Sequence, residues 1–218
     1  MPPDWERERR ELVKKLEGWG YIESPSVKSA FLKVPRERFV PEDLQGSAYE
    51  DVPLPIGHGQ TISAPSMIVI MLEEATLKAG EHVLEIGAGC GYNAALLAEI
   101  VGPDDVVSIE RIPELASAAR DNLVACGYRA EVVVGDGTRG YTPKAPYDCV
   151  MATAGAPRIP KPWMEQTKVG GRIVAPIGKS RMSQSLVTAR RTTESKWEVK
   201  EGTACAFVPL IGAEGWTA

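Results

Sequence analysis

The chain has 218 residues, 44% of them hydrophobic and 25% charged, with a net charge of −4. That length and balance describe one globular domain, and the acidic sign advertises no basic face for nucleic acid. The opening MPPDWERERRELVKKLEGWG has no apolar core of signal-peptide type, and no apolar run reaches the ~18 residues of a membrane span; a soluble, cytoplasmic, monomeric protein with neither membrane nor nucleic acid as partner is expected.

Residues 4–17 read as an amphipathic helix, with Trp5, Leu12, Val13 and Leu16 at helical spacing and Gly18 and Gly20 at its end. A short helix fits residues 26–33, where Val27, Ala30 and Phe31 share a face with Val34. Pro35 and Pro41 bracket RERFV, and DVPLPIG follows, so residues 34–56 read as proline-punctuated connection. GHGQTISAP (57–65) reads as a small, polar, glycine-rich loop. Apolar helix fits 66–78, ending at Gly80, and HVLEI (82–86) is a buried strand. Helix at 92–100, strand at 105–110, helix at 113–126, strands at 130–134 and 147–153, helix at 162–168 and strand at 171–177 complete a βαβα alternation. That alternation indicates a doubly wound, mostly parallel sheet covered on both faces. The last 40 or so residues, with SQSLVTARR, KWEVKE and TACAFVPL, alternate apolar and polar and predict three antiparallel strands at the sheet edge. The four cysteines, Cys90, Cys126, Cys149 and Cys205, form no CxxC pair and read as small buried thiols rather than metal ligands.

HVLEIGAGCGYNAALLA sets Gly87, Gly89 and Gly91 between a strand and a helix. Glycines there let the backbone turn sharply and approach a ligand, while the helix start offers free N–H groups. Glu110 ends the next strand, nineteen residues past Gly91, and can accept from both hydroxyls of a ribose. Gly135-Asp136-Gly137-Thr138 ends the third strand, where Asp136 is placed to accept from an adenine amino group and Gly137 to line the site. The spacing is G-x-G-x-G rather than the G-x-G-x-x-G of dinucleotide sites, and Glu85 lies two residues before the first glycine. A carboxylate repels a pyrophosphate and suits a cationic ligand. This arrangement resembles that of class I S-adenosylmethionine-dependent methyltransferases, and KVGGRIV (168–174) resembles their K-P-G-G-R segment with Val169 in place of the proline.

GHGQTISAP, together with SPSVKSAFLKVPRERFVPE, AYEDVPLPIGHGQTISAPSM, VLEIGAGCGY, VVVGDGT, APYDCVMATAGAP and FVPL, resembles the protein-L-isoaspartate O-methyltransferases. The resemblance spans roughly residues 12–211. Cys90 stands where serine is commoner in that family, and Ser66 where histidine is common. It implies one Rossmann-like domain over 1–218, divided into an N-terminal cap and substrate loop (1–64), a cofactor-binding core (65–178) and a β-rich tail (179–218). It implies S-adenosyl-L-methionine as cofactor, S-adenosyl-L-homocysteine as product, and isoaspartyl proteins and peptides as partners. It further implies Ser63 as the active-site serine, Thr61, Glu85, Gly87, Gly89, Glu110, Asp136 and Gly137 around the cofactor, and Gln60, Thr61, Ala64 and Val208 around the substrate, with no metal.

The residues themselves leave Ser63 two roles. One is helix capping, its hydroxyl accepting from the N–H of Ser66 with Pro65 in the first turn. The other is donation to a substrate carboxylate. No base is in view to make it a nucleophile, since His58 and His82 are the only histidines and form no triad pattern. Val208, in an extended stretch, pairs either with substrate main chain or with the core. Three alternatives remain at this stage: a small-molecule methyltransferase of the same fold, a non-catalytic ligand-binding module, and a nicotinamide oxidoreductase. The glycine spacing and Glu85 disfavour the last.

Overall fold

The computed structural model describes residues 4–217. Strands β3 (Val83–Ile86), β4 (Val106–Glu110), β5 (Glu131–Val134), β6 (Tyr147–Ala152), β7 (Thr167–Ser180), β8 (Ser183–Arg191) and β9 (Trp197–Cys205) form one sheet in the order β5-β4-β3-β6-β7-β8-β9. The first five are mutually parallel, and β8 and β9 add antiparallel at one edge. Helices α3 (Pro65–Ala75), α4 (Tyr92–Val101), α5 (Pro113–Ala125) and the short α6 (Lys161–Gln166) connect or precede the strands. The chain runs outward from β3 through β4 to β5, then returns to lay β6 on the other side of β3. Ligands bind at such a reversal, beyond the carboxyl ends of the strands.

Side chains alternate across the sheet with period two. Leu84, Ile86, Val107 and Ile109 enter the apolar layer that includes Trp163 and Tyr147. Val83 and Val106 enter the other layer, against α3, α4 and the N-terminal helices α1 (Trp5–Gly18) and α2 (Pro25–Lys33). Glu85, between Leu84 and Ile86, therefore points with Val83 toward α4. Its register partners on the flanking strands are Ser108 and Met151.

Two expectations change. The glycine-rich loop is a hairpin: β1 (Leu54–Gly57) pairs antiparallel with β2 (Gln60–Ile62). His58 and Gly59 form its two-residue turn with φ of 52° and 69°, the geometry that matches strand twist in short hairpins. The tail holds two antiparallel strands rather than three. Thr203–Cys205 continue β9 past Gly202, and the chain from 206 onward runs as an irregular strap with single bridges such as Gly155 to Pro209. The cysteines are free, with Cys90 and Cys149 buried and Cys126 and Cys205 half-buried. Among the described residues no helix is long and apolar enough to cross a membrane, and no group of His, Cys, Asp or Glu is arranged to hold a metal ion.

Candidate active site

A cavity lies at the carboxyl end of β3, between the glycine-rich turn and the β1–β2 hairpin. Gly87, Gly89, Glu110, Gly137, Gln60, Thr61, Ser63 and Val208 all line it. Residues separated by up to 148 positions in the chain are thus brought to one place. The turn is built from three left-handed glycines, with φ of 98°, 54° and 90° at 87, 89 and 91. A Cβ on Gly87 would lie 2.5 Å from Thr153 Oγ1, and one on Gly91 would lie 3.0 Å from the Ala119 carbonyl oxygen. The first close approach seats the turn against Thr153 after β6; the second seats α4 against α5.

Glu110 is buried at the end of β4. One carboxylate oxygen accepts from Gly89 N–H (2.9 Å) and the other from Ile112 N–H (3.0 Å). A carboxylate has about four acceptor sites, so capacity remains for two hydroxyls on the cavity side. The glycine-rich turn brings no lysine to the cavity, and Arg111 is the one arginine in its lining. This donor set fits a cofactor with a diol and a cationic tail better than one with a pyrophosphate.

Three expected residues do not line the cavity. Glu85 lies beneath its floor, fully buried, accepting from Asn93 Nδ2 (2.7 Å) and Ser108 Oγ. Burial pushes its pKa up to about 7, with the Glu110 charge adding to the rise and the Ser108 and Asn93 hydrogen bonds opposing it. Asn93, which does line the cavity, joins Glu85 to it. Asp136 lies outside the lining: its oxygens accept from Thr138 N–H (2.9 Å) and hydroxyl (2.6 Å) and from Ala213 N–H (2.9 Å). Burial works against ionisation there, yet these donors and Arg139 hold its pKa below the usual range. Ala64 is the N-cap of α3, its carbonyl accepting from Ile68 N–H (3.2 Å).

Ser63 is not a cap. The N–H of Ser66 donates to Asp51 Oδ1 at 2.8 Å, so a carboxylate fifteen residues upstream does the capping. The α3 cap residue itself makes no side-chain bond. Among the described residues the Ser63 hydroxyl has no hydrogen-bond partner, and Ser63 lines the cavity. Gln60 Nε2 donates back to the His58 carbonyl (3.2 Å), and Thr61 is exposed. The Val208 carbonyl accepts from Gly155 N–H (2.8 Å), which ties it to the end of β6 rather than leaving its main chain wholly free.

Sequence reasoning missed several contributors. Trp163 Nε1 donates to the Gly137 carbonyl (2.8 Å), and Trp216 Nε1 to that of Gly155 (2.9 Å). Thr153 Oγ1 donates to the Gly87 carbonyl (2.8 Å) and lines the cavity. Leu210 and Ile211 close one side of it. Asn93, in the first turn of the helix after the glycines, carried a local signal; the others depend on tertiary contacts.

The family model for protein-L-isoaspartate(D-aspartate) O-methyltransferases matches residues 7–215. A protein-L-isoaspartate O-methyltransferase of Hyperthermus butylicus is 54% identical, with 98% of this chain and 92% of the relative covered. One from Methanopyrus kandleri is 53% identical, over 96% and 94%. Among solved structures, a protein-L-isoaspartate O-methyltransferase superposes with a TM-score of 0.84 at 31% identity, covering 95% of this chain and 67% of the other. A Plasmodium falciparum structure of the same description, in complex with S-adenosyl-L-homocysteine, shares the fold at a TM-score of 0.80 and 21% identity, over 93% and 98%. With the match running through the hairpin, the glycine-rich turn and the terminal strap alike, the chain belongs to the protein-L-isoaspartate(D-aspartate) O-methyltransferase family.

Proposed function

We propose that the one cavity holds methyl donor and methyl acceptor together, with the glycine-rich turn and Glu110 on the donor side and the Ser63 hairpin on the acceptor side. The activity is S-adenosylmethionine-dependent methylation of the free α-carboxylate of L-isoaspartyl residues in damaged proteins. Methylation gives an ester whose carbonyl the amide nitrogen of the following residue attacks, expelling methanol to form a succinimide; water then opens that ring and returns some normal aspartate. When bound, S-adenosylmethionine supplies an electrophilic methyl group and departs as S-adenosylhomocysteine.

The chain's own residues have four tasks. Glu110 accepts from the ribose hydroxyls through the lone pairs that Gly89 and Ile112 leave free. Gly87 and Gly89 let the backbone approach closely. Asn93, oriented by Glu85, presents its amide to the cofactor's polar tail. Ser63 donates to the acceptor carboxylate, and Gln60, Thr61 and Val208 flank the peptide.

No general base is needed. A carboxylate has a pKa of about 4 and is already the nucleophile at neutral pH. The histidines agree with this: His58 is exposed on the hairpin turn and His82 packs on Tyr147, 4.8 Å between ring centres. The Cys90 thiol in the lining is pushed up to about 11 by burial and stays protonated. What the site contributes is alignment and exclusion of water. Because opposite charges cancel as the methyl moves, an apolar surround of Ile56, Ile62, Ile86 and Leu210 favours transfer.

The carrying observation is that Ser63, whose hydroxyl has no hydrogen-bond partner among the described residues, lines one cavity with Glu110. Labelled S-adenosylmethionine with paired peptides, one L-isoaspartyl and one L-aspartyl at the same position, tests the reading. Label on the isoaspartyl peptide alone, lost again as the ester cyclises, is expected. Label on neither, with cofactor binding intact, would redirect the search to a small-molecule acceptor.

A further inference from the structure

Arg36 is a buried arginine of the N-terminal segment. It opens the 3-10 turn Arg36–Phe39 and has no exposed surface. Its Nε donates to the Ala48 carbonyl and its Nη2 to the Ser63 carbonyl, both at 2.8 Å. The guanidinium lies over the Tyr92 ring, 5.0 Å from the centroid. Its Nη1 is buried and has no partner. Among the described residues no carboxylate lies within salt-bridge distance of it. The Asp51 carboxylate contributes to its surroundings but is already engaged by the N–H of Ser66. Burial lowers its pKa from the ordinary 12.5, yet guanidinium groups in proteins remain charged.

A buried cation without a counter-ion is expensive, and proteins keep one where something compensates it. Two of its contacts belong to the cavity: Ser63 and Tyr92 both line it. Arg36 thus bridges the first residue after the hairpin and the first residue of α4, the acceptor and donor sides of the site. The reacting group of the acceptor is a carboxylate, the charge this guanidinium lacks.

We propose that Arg36 is a positioning residue for the acceptor: it anchors the Ser63 backbone, and its charge, which no carboxylate meets in a salt bridge, makes the acceptor end selective for an anion. This rests on the methyltransferase reading above. Arg36 touches Ser63 rather than substrate and acts through the loop and through the field in a low-dielectric setting.

The two parts separate by substitution. Arg36→Met removes charge and fork together; Arg36→Lys keeps the charge but cannot hold two carbonyls in one plane. Each variant is assayed with the isoaspartyl peptide for kcat and KM. Binding of a matched peptide whose α-carboxylate is a carboxamide is measured by competition, and S-adenosylhomocysteine binding by calorimetry. The wild-type protein is expected to bind the carboxylate peptide better than the carboxamide. In Arg36→Met that preference is lost and KM for the carboxylate rises about tenfold or more, the scale of one charged interaction, while S-adenosylhomocysteine binding holds. Arg36→Lys is expected to restore the preference but not kcat. A purely structural arginine would lower stability and leave the carboxylate preference untouched; that result in a folded Arg36→Met overturns the proposal. If Arg36→Met does not fold, Arg36→Lys with unchanged kcat overturns it instead. Failure of the wild-type protein to methylate the isoaspartyl peptide would overturn the methyltransferase reading and the role of Arg36 with it, whereas an unchanged preference in a folded Arg36→Met overturns the role of Arg36 alone.

Discussion

Ser63 stands at a helix start without serving the helix. Asp51 has taken the capping bond, so the serine hydroxyl has no structural duty among the described residues. Ser63→Ala is therefore expected to leave the melting temperature unchanged and to lower kcat by about tenfold to a hundredfold, the size of a hydrogen bond to a charged group. Steady-state kinetics beside a thermal melt checks this, and a drop in melting temperature with full activity would return Ser63 to a capping role. Asp51→Ala should behave in the opposite manner. Losing the cap costs about 1 kcal/mol of stability, read from denaturant unfolding, with kcat little changed. Glu85 is the other residue whose setting decides its behaviour. Its folded pKa of about 7 lies above the ordinary 4.5, so the folded chain binds its proton more tightly than the unfolded one. That contribution to stability is complete below pH 4.5 and is lost as pH rises toward 7. In the absence of cofactor, stability should fall by up to about 1.4 kcal/mol per pH unit across that window. Glu85→Gln should flatten the slope, as measured by denaturant unfolding at a series of pH values.

At the scale of elements, the glycine-rich turn serves two neighbours at once. Its first glycine packs against Thr153 after β6, and its last brings α4 onto the backbone of α5. Gly91→Ala meets a φ of 90° and the Ala119 carbonyl together. A loss of about 1–3 kcal/mol is expected from backbone strain alone, and calorimetric unfolding would read it. The hairpin answers why GHGQTISAP is small and polar. His58 and Gly59 turn the chain back, and Gln60 and Thr61 of the returning strand reach the cavity from above. The serine follows directly, held between the end of β2 and the start of α3.

Across the whole molecule, the terminal strap completes a site begun in the N-terminal cap. Ala213 and Glu214 donate to Asp136 and Thr138. Trp216 donates its indole N–H to the Gly155 carbonyl and its main-chain N–H to that of Leu210 (2.8 Å). Arg181 lies over the Trp216 ring, 5.9 Å from its centroid. These bonds hold Leu210 and Ile211 at the cavity wall. Trp216→Ala is expected to weaken S-adenosylhomocysteine binding about tenfold, through loss of ordered apolar wall, while far-UV circular dichroism stays that of the folded protein. Titration calorimetry measures it; unchanged affinity would show that the strap packs without shaping the site.

Local chemistry was legible before folding. Helix and strand periodicity placed the parallel sheet, because period 3.6 and period 2 are properties of the chain itself. The glycines between β3 and α4 and the carboxylate of Glu110 at a strand end were visible because each depends on a few consecutive residues, whereas the residues around Ser63 left it two roles. Partnership across long separations was not visible. Asp51 caps α3, Trp216 reaches Gly155, and Ala213 engages Asp136 because the sheet order brings those segments together, and no spacing in the sequence encodes that contact. Asp136 and Glu85 lie outside the cavity lining for the same reason. A carboxylate's function is set by which donors meet it and by how much water it keeps, and both are decided only when the strands, the hairpin and the strap close on one cavity.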